Sequence, residues 1–245
     1  MFHFFVTKEQ VSDGRIRITG ADLNHVKNAL RMKAGEHVKI SDGENRTYEC
    51  VLSGYPEGAA EFEILSESGF TSELPMKITL FQGLPKGDKM EWITEKAVEL
   101  GVSMIVPVAM HRSVVKLDAK KEEARIRRYQ AIAGTAAKQA GRNVIPGVTP
   151  VVSVEAAARM AEGLDVLLVP YECAEDMAKT RQVLENLPKE GRVGMVIGPE
   201  GGFELAEIER FKAAGGRVIT LGKRILRTET AGLYLLSVLS FLYGE

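Results

Sequence analysis

The chain has 245 residues, 45% hydrophobic and 27% charged, with a net charge of −1; this is the balance of a folded protein, and it excludes disordered and collagen-like classes. It contains no run of about 18 apolar residues, so no membrane span is expected, and the opening Met1-Phe2-His3-Phe4-Phe5 lacks the basic stretch and long apolar run of a secretory signal. Cys50 and Cys173, the two cysteines, are too few and too far apart for a disulfide framework or metal cluster, which points to a reducing cytoplasm.

From the N-terminus the pattern is mostly β. Residues 15–19 alternate around Ile16 and Ile18, the period of a half-buried strand. Thr19-Gly20-Ala21-Asp22 reads as a helix start, and Leu23, Val26, Ala29 and Leu30 follow at helical spacing. Residues 38–40, 47–52 and 60–65 read as strands, with a turn at Asp42-Gly43. One short helix among short strands predicts a small barrel over residues 1–70. The polar stretch 66–75 reads as a linker. Over residues 71–245 strands and helices alternate. Strands are expected at 77–81, 102–108, 165–169, 192–197 and 218–221, and helices at 88–100, 119–140, 205–214 and 228–243. This alternation predicts an α/β domain with a largely parallel sheet. The last helix is apolar nearly all round and needs cover on more than one side.

Two segments carry the chemical signal. Ile197-Gly198-Pro199-Glu200-Gly201-Gly202-Phe203 follows a buried strand and precedes a helix, where parallel sheets hold their ligands. Its glycines let backbone approach a ligand closely; without a ligand the same residues make a tight strand-to-helix turn. Leu221-Gly222-Lys223-Arg224-Ile225-Leu226-Arg227-Thr228-Glu229-Thr230-Ala231 also follows a strand and opens a helix, with Thr228 as the expected N-cap. Three cations just before a helix oppose its dipole, so they point to an anionic partner or to a solvated basic loop. Other motifs fail. Gly83-Leu84-Pro85-Lys86-Gly87-Asp88-Lys89 lacks the glycine spacing and Lys-Ser/Thr of a phosphate-binding loop. No dinucleotide fingerprint or nucleophile elbow is present. His3, His25, His37 and His111 are scattered, and no metal is expected.

These two segments, together with 25–32, 83–91, 112–115 and 139–142, closely resemble the RsmE family of bacterial 16S ribosomal RNA uridine-N3 methyltransferases, in the SPOUT superfamily. The likeness runs from end to end; Lys138, Ala140 and Ala29 depart from the usual residues, outside both principal segments. The resemblance implies a small N-terminal PUA-like β-barrel over 1–70 and a SPOUT-type trefoil-knotted α/β domain over 71–245. It implies S-adenosyl-L-methionine as cofactor, held by Val169, Pro170, Glu172, Ile197, Gly198, Pro199, Gly201, Gly202, Leu221, Gly222, Ile225, Leu226, Thr230 and Ala231. It also implies a homodimer acting on 16S rRNA within the assembled small subunit. A SPOUT enzyme acting on a ribose 2′-hydroxyl, or a non-catalytic assembly factor, are the alternatives.

Uracil N3 carries a proton and is a poor nucleophile until the ring anion is stabilised. Arg227, directly after the cofactor loop, is the first candidate for that cation, and Arg112 the second; Glu200 is the candidate base. Residues 71–150 carry 13 basic and 8 acidic side chains, whereas the flanking segments each sum to −3. RNA is therefore expected on Lys86, Lys89, Arg125, Arg128 and Arg142, and on Arg15, Arg17 and Arg31 of the barrel.

Overall fold

The computed structural model describes residues 2–44, 46–69, 71–115, 118–174 and 176–244. The chain divides into two compact units, residues 1–73 with 137–145, and residues 74–136 with 146–245.

The first unit contains β1 (Phe2–Phe5), β2 (Val11–Ser12), β3 (Arg15–Ile18), α1 (Gly20–Asn24), β4 (His37–Ser41), β5 (Thr47–Gly54) and β6 (Ala60–Ser68). The strands form one six-stranded sheet in the order β1-β4-β5-β6-β3-β2, antiparallel except for the β1–β4 pair. The alternation read at β3 is present: Ile16 and Ile18 enter the core with Phe4, Ile40 and Phe62, while Arg15 and Arg17 face out. β1 and β2 have no such signal in the sequence. The turn between β2 and β3 is carried by Asp13 and Gly14 at φ 50° and 75°, both left-handed as a two-residue hairpin requires. β6 runs through Ser68, so the chain leaves the sheet later than the polar stretch suggested.

The expected helix is short. α1 passes into a π-helical turn, His25–Ala29, closed by Leu30 N–H donating to the His25 carbonyl at 2.9 Å. A five-residue turn breaks the 3.6-residue spacing, so Val26 is buried while Ala29 is exposed instead of continuing the apolar stripe.

A buried polar seam ties 137–145 into this unit. Arg142, expected on the RNA surface, is instead 3% exposed and ion-paired with Glu73. Glu73 Oε1 also accepts from the Asn143 and Val144 amides at 2.9 and 3.2 Å. The Asn143 side chain donates to Thr47 Oγ1 at 2.5 Å and accepts from Ser72 N–H at 2.8 Å. Thr47 Oγ1 lies 2.6 Å from Ser41 Oγ, itself 2.7 Å from His3 Nε2. Burial, with the charges of Lys39 and Lys138, pushes the His3 pKa down to about 4.

The second unit contains β7 (Lys77–Gly83), α2 (Lys89–Glu99), β8 (Met104–Ala109), α3 (Ala119–Ala140, its last residues in the first unit), β9 (Gly147–Val148), β10 (Val152–Ser153), α4 (Val154–Ala161), β11 (Val166–Pro170), α5 (Met177–Glu185), β12 (Arg192–Ile197), α6 (Leu205–Ala213), β13 (Gly216–Ile219) and α7 (Thr228–Tyr243). Seven strands make one all-parallel sheet, ordered β10-β8-β7-β12-β11-β13 with β9 on β8. Every expected strand and helix of this unit is present within a few residues. α4 and α5 have no counterpart in the reading. They begin where the Ser153 and Asp176 side chains accept from the Ala156 and Lys179 amides at 3.3 and 2.9 Å. No helix among the described residues is long and apolar enough to cross a membrane.

Replacing Arg142 by Met leaves the Glu73 carboxylate buried without its cation. Urea unfolding should show a loss of about 3–5 kcal/mol, part of which returns when Glu73→Gln is added.

Candidate functional site

β12, β11 and β13 lie side by side and parallel, so the loops leaving their C-terminal ends converge. They enclose a cleft of about 970 Å³, the scale of a small-molecule site. Pro170, Tyr171 and Glu172 come from the end of β11, Ile197 to Phe203 from β12, and Thr220 to Thr228 from β13. Met177 of α5 and Ala231 of α7 add to the wall.

Twelve of the residues expected to hold a cofactor meet here: Pro170, Glu172, Ile197, Gly198, Pro199, Gly201, Gly202, Leu221, Gly222, Ile225, Leu226 and Ala231. Two do not. Val169 is fully buried among Val196 and Phe211, behind the cleft, and Thr230 is exposed on α7 outside the lining. Ala174, Met177, Phe203, Thr220 and Thr228 also line the cleft and are not among the residues expected to hold the cofactor. Phe203 lies in the quoted loop, but Met177 belongs to a helix too polar to announce itself, with Thr180 and Leu184 as its buried residues.

The loops are fixed from below by their own hydrogen bonds. Gly202 and Gly222 adopt φ 70° and 108°, left-handed conformations that favour glycine. A Cβ at Gly198 would sit 3.2 Å from the Phe203 ring. Thr220 N–H donates to Thr180 Oγ1 at 3.0 Å, and Gly222 N–H to Thr220 Oγ1 at 3.2 Å. The N-cap of α7 is Arg227, not Thr228: Arg227 is extended, and its carbonyl accepts from the Thr230 and Ala231 amides. Thr228 is the first helical residue, and its hydroxyl donates to the Gly198 carbonyl at 2.6 Å. Buried Gln82, at the end of β7, donates from Nε2 to Thr228 Oγ1 at 2.9 Å and to its neighbour Gly83 O at 3.0 Å.

The three candidate catalytic side chains occupy different settings. Glu200 is held by Lys89 Nζ at 2.9 Å and the Lys86 amide at 3.3 Å. Burial raises its pKa, but the Lys89 ammonium and the backbone amides outweigh that and keep it below the ordinary value. Its contacts with Lys89 and the Lys86 amide hold it in place, which suits a scaffold carboxylate. Lys89 also reaches Glu229 at 3.2 Å, so this expected RNA contact is tied into the loop. Arg112 lies along the glycine loop, donating to the Gly201 carbonyl at 3.0 Å. Next to it, buried Glu207 accepts from the His111 and Glu204 amides at 2.9 and 2.8 Å, joining the end of β8 to α6. Arg227 is exposed at the cleft with Lys223 and Arg224, and none of the three has an ion pair or side-chain hydrogen bond among the described residues.

The other expected RNA contacts are scattered. Arg17, Arg31 and Lys86 are exposed. Arg15 pairs with Glu61 at 2.8 Å and Arg128 with Glu91 at 2.7 Å, both at exposed guanidiniums, and Arg125 is half-buried beside Tyr129.

The model of an RNA methyltransferase domain matches residues 72–240, and that of an RNA methyltransferase PUA domain matches 18–65. The ribosomal RNA small subunit methyltransferase E of Bacillus subtilis (strain 168) is 36% identical over 98% of this chain and 96% of its own. The chain belongs to the ribosomal RNA small subunit methyltransferase E family. The Mesomycoplasma hyopneumoniae (strain 232) member is 30% identical over 97% of this chain and 98% of its own. A crystal structure of the Neisseria gonorrhoeae member bound to S-adenosyl methionine is similar at a TM-score of 0.83 and 30% identity, covering 99% of this chain and 98% of that one.

The cleft suits that cofactor by its donor set. Ile197, Leu221 and Leu226 offer apolar surface to a flat adenine, Gly202 and Gly222 leave their backbone carbonyls uncovered by any side chain of their own, and Glu172 offers a carboxylate to a cation. Gly202→Val puts a β-branched side chain on left-handed backbone facing the Glu172 carboxylate. S-adenosylmethionine binding should then be lost by calorimetry, and an unchanged affinity would place the cofactor elsewhere.

Proposed function

We propose that this member of the methyltransferase E family transfers a methyl group from S-adenosylmethionine to N3 of one uridine in 16S rRNA, within the assembled small subunit in the cytoplasm. The observation that carries the reading is the set of three cations, Lys223, Arg224 and Arg227, without an ion pair among the described residues and on the rim of a cleft whose walls suit the cofactor. Bound in the cleft, the cofactor supplies an electrophilic methyl group on a sulfonium sulfur. The chain's own work is to place the uracil and to stabilise the negative charge that spreads to its oxygens as N3 loses its proton. Arg227 is suited to this. Among the described residues its guanidinium has no carboxylate to neutralise it, and its forked donors match a uracil carbonyl oxygen in a way a lysine cannot. Arg112, with one arm on the Gly201 carbonyl, positions the glycine loop and remains the second candidate.

We also read the segment from β12 to α7 as the trefoil knot that the SPOUT resemblance implies. RNA is placed on the exposed cations Arg15, Arg17, Arg31, Lys86 and Arg128, with Arg142 and Lys89 withdrawn from that set by their ion pairs.

Methylation of small subunits with mass mapping tests the reaction; a methyl group on a ribose 2′-hydroxyl, or none, overturns it. In the same assay Arg227→Ala and Arg227→Lys should each lower the single-turnover rate by about a hundredfold, equivalent to roughly 3 kcal/mol, while cofactor affinity and melting temperature hold. Loss of cofactor affinity in parallel with rate would make Arg227 a pocket residue.

The homodimer is part of the same proposal. α7 buries Leu235, Leu236 and Leu239 within its unit yet leaves Tyr234, Phe241 and Leu242 exposed, Phe241 at 86%. An apolar second face needs a cover. Light scattering at micromolar concentration should give twice the chain mass, falling to one with Phe241→Glu; a monomeric parent would sink the dimer.

A further inference from the structure

The segment 82–89 has no role in the reading above beyond its two lysines, yet it touches the glycine loop along its length. We infer that it is a bracket that holds the 198–203 loop in its ligand-ready shape, with Gln82 and Thr228 as the positioning residues that set cofactor affinity. The inference rests on the cleft being the cofactor site.

Three observations carry it. First, the hydrogen bonds have a forced direction. A threonine hydroxyl has one proton, and that of Thr228 goes to the Gly198 carbonyl at 2.6 Å. Thr228 Oγ1 can then only accept, so Gln82 must present its NH₂, as it does at 2.9 Å. Second, Gln82 is fully buried and its Oε1 has no hydrogen-bond partner among the described residues. An apolar side chain of equal size would fill the volume without stranding an oxygen. What the amide adds is a donor aimed at Thr228, and through it a fixed Gly198. Third, the backbone leaves no slack. A Cβ on Gly83 would lie 2.7 Å from Pro199 N and Cδ, so the two segments are in direct contact. Further along, the Lys86 amide and the Lys89 ammonium both hold Glu200. The bracket thus grips residues 198, 199 and 200 in succession and leaves Gly201 and Gly202 to face the ligand.

The test uses the full chain with Thr228→Val, Thr228→Ser and Gln82→Glu. The first removes the hydroxyl at constant shape, the second restores it, and the third removes the donor. In the cofactor-free protein, amide hydrogen exchange at residues 200–203 should quicken by about tenfold or more in Thr228→Val and Gln82→Glu and return towards the parent in Thr228→Ser. S-adenosylmethionine affinity by calorimetry should fall by about tenfold or more in the same two variants, recover in Thr228→Ser, and fall no further when Thr228→Val and Gln82→Glu are combined, since both break one chain of hydrogen bonds. Exchange away from the loop separates this from general loosening: it should stay at parent values in every variant. Unchanged loop exchange in Thr228→Val overturns the bracket, as does a Thr228→Ser that binds no better than Thr228→Val. Quickened exchange in a chain whose parent binds no cofactor keeps the bracket and overturns the cofactor reading of the cleft.

Discussion

A single proton on the Thr228 hydroxyl joins the two loops that make the site. It is donated to the Gly198 carbonyl, so the first turn of α7 cannot move without the end of β12. The convergence of β12, β11 and β13 brings the loops near each other, but strand ends alone leave loops free to sample many shapes. A buried hydrogen bond between backbone on one loop and the helix start following the other removes that freedom. It also sets the direction of Arg227, one residue earlier, as α7 takes its N-cap carbonyl.

The cations sort by what they touch. Lys89, Arg112 and Arg142 are each engaged by a carboxylate or carbonyl of the protein, and each braces something: Glu200, the glycine loop, the seam of the first unit. Lys223, Arg224 and Arg227 have no such partner among the described residues. An exposed cation left unpaired at a helix start, against the dipole, is in an unfavourable electrostatic position that an incoming anion relieves. Basic content per segment could not make this distinction, because it counts Arg142 and Arg227 alike.

The α/β unit was largely legible because buried parallel strands and amphipathic helices leave strong periodic signals, and α2, β12 and α7 fall close to their expected bounds. α4 was not, because its Ala-rich face buries Ala157, Ala158 and Ala161 without large apolar side chains. In the first unit Ile16 and Ile18 announced β3, but the π-helical turn at His25–Ala29 could not be read from spacing, since it changes the spacing. Of the site, both loops were visible as motifs. Their mutual attachment was not, because Gln82, Thr228 and Gly198 are remote in sequence and ordinary in type.

The seam of the first unit also bears on how the chain is made. Glu73 is buried against a guanidinium that lies 69 residues further along, and Thr47 is bonded to Asn143. A ribosome that has released only the N-terminal strands has exposed the acid of this pair and not the base. The seam of the first unit therefore closes only after α3 has emerged, when β7, α2 and β8 are already outside the tunnel. Although it comes first in the sequence, this unit is completed from the middle of the chain, by residues that follow β7, α2 and β8 of the catalytic unit.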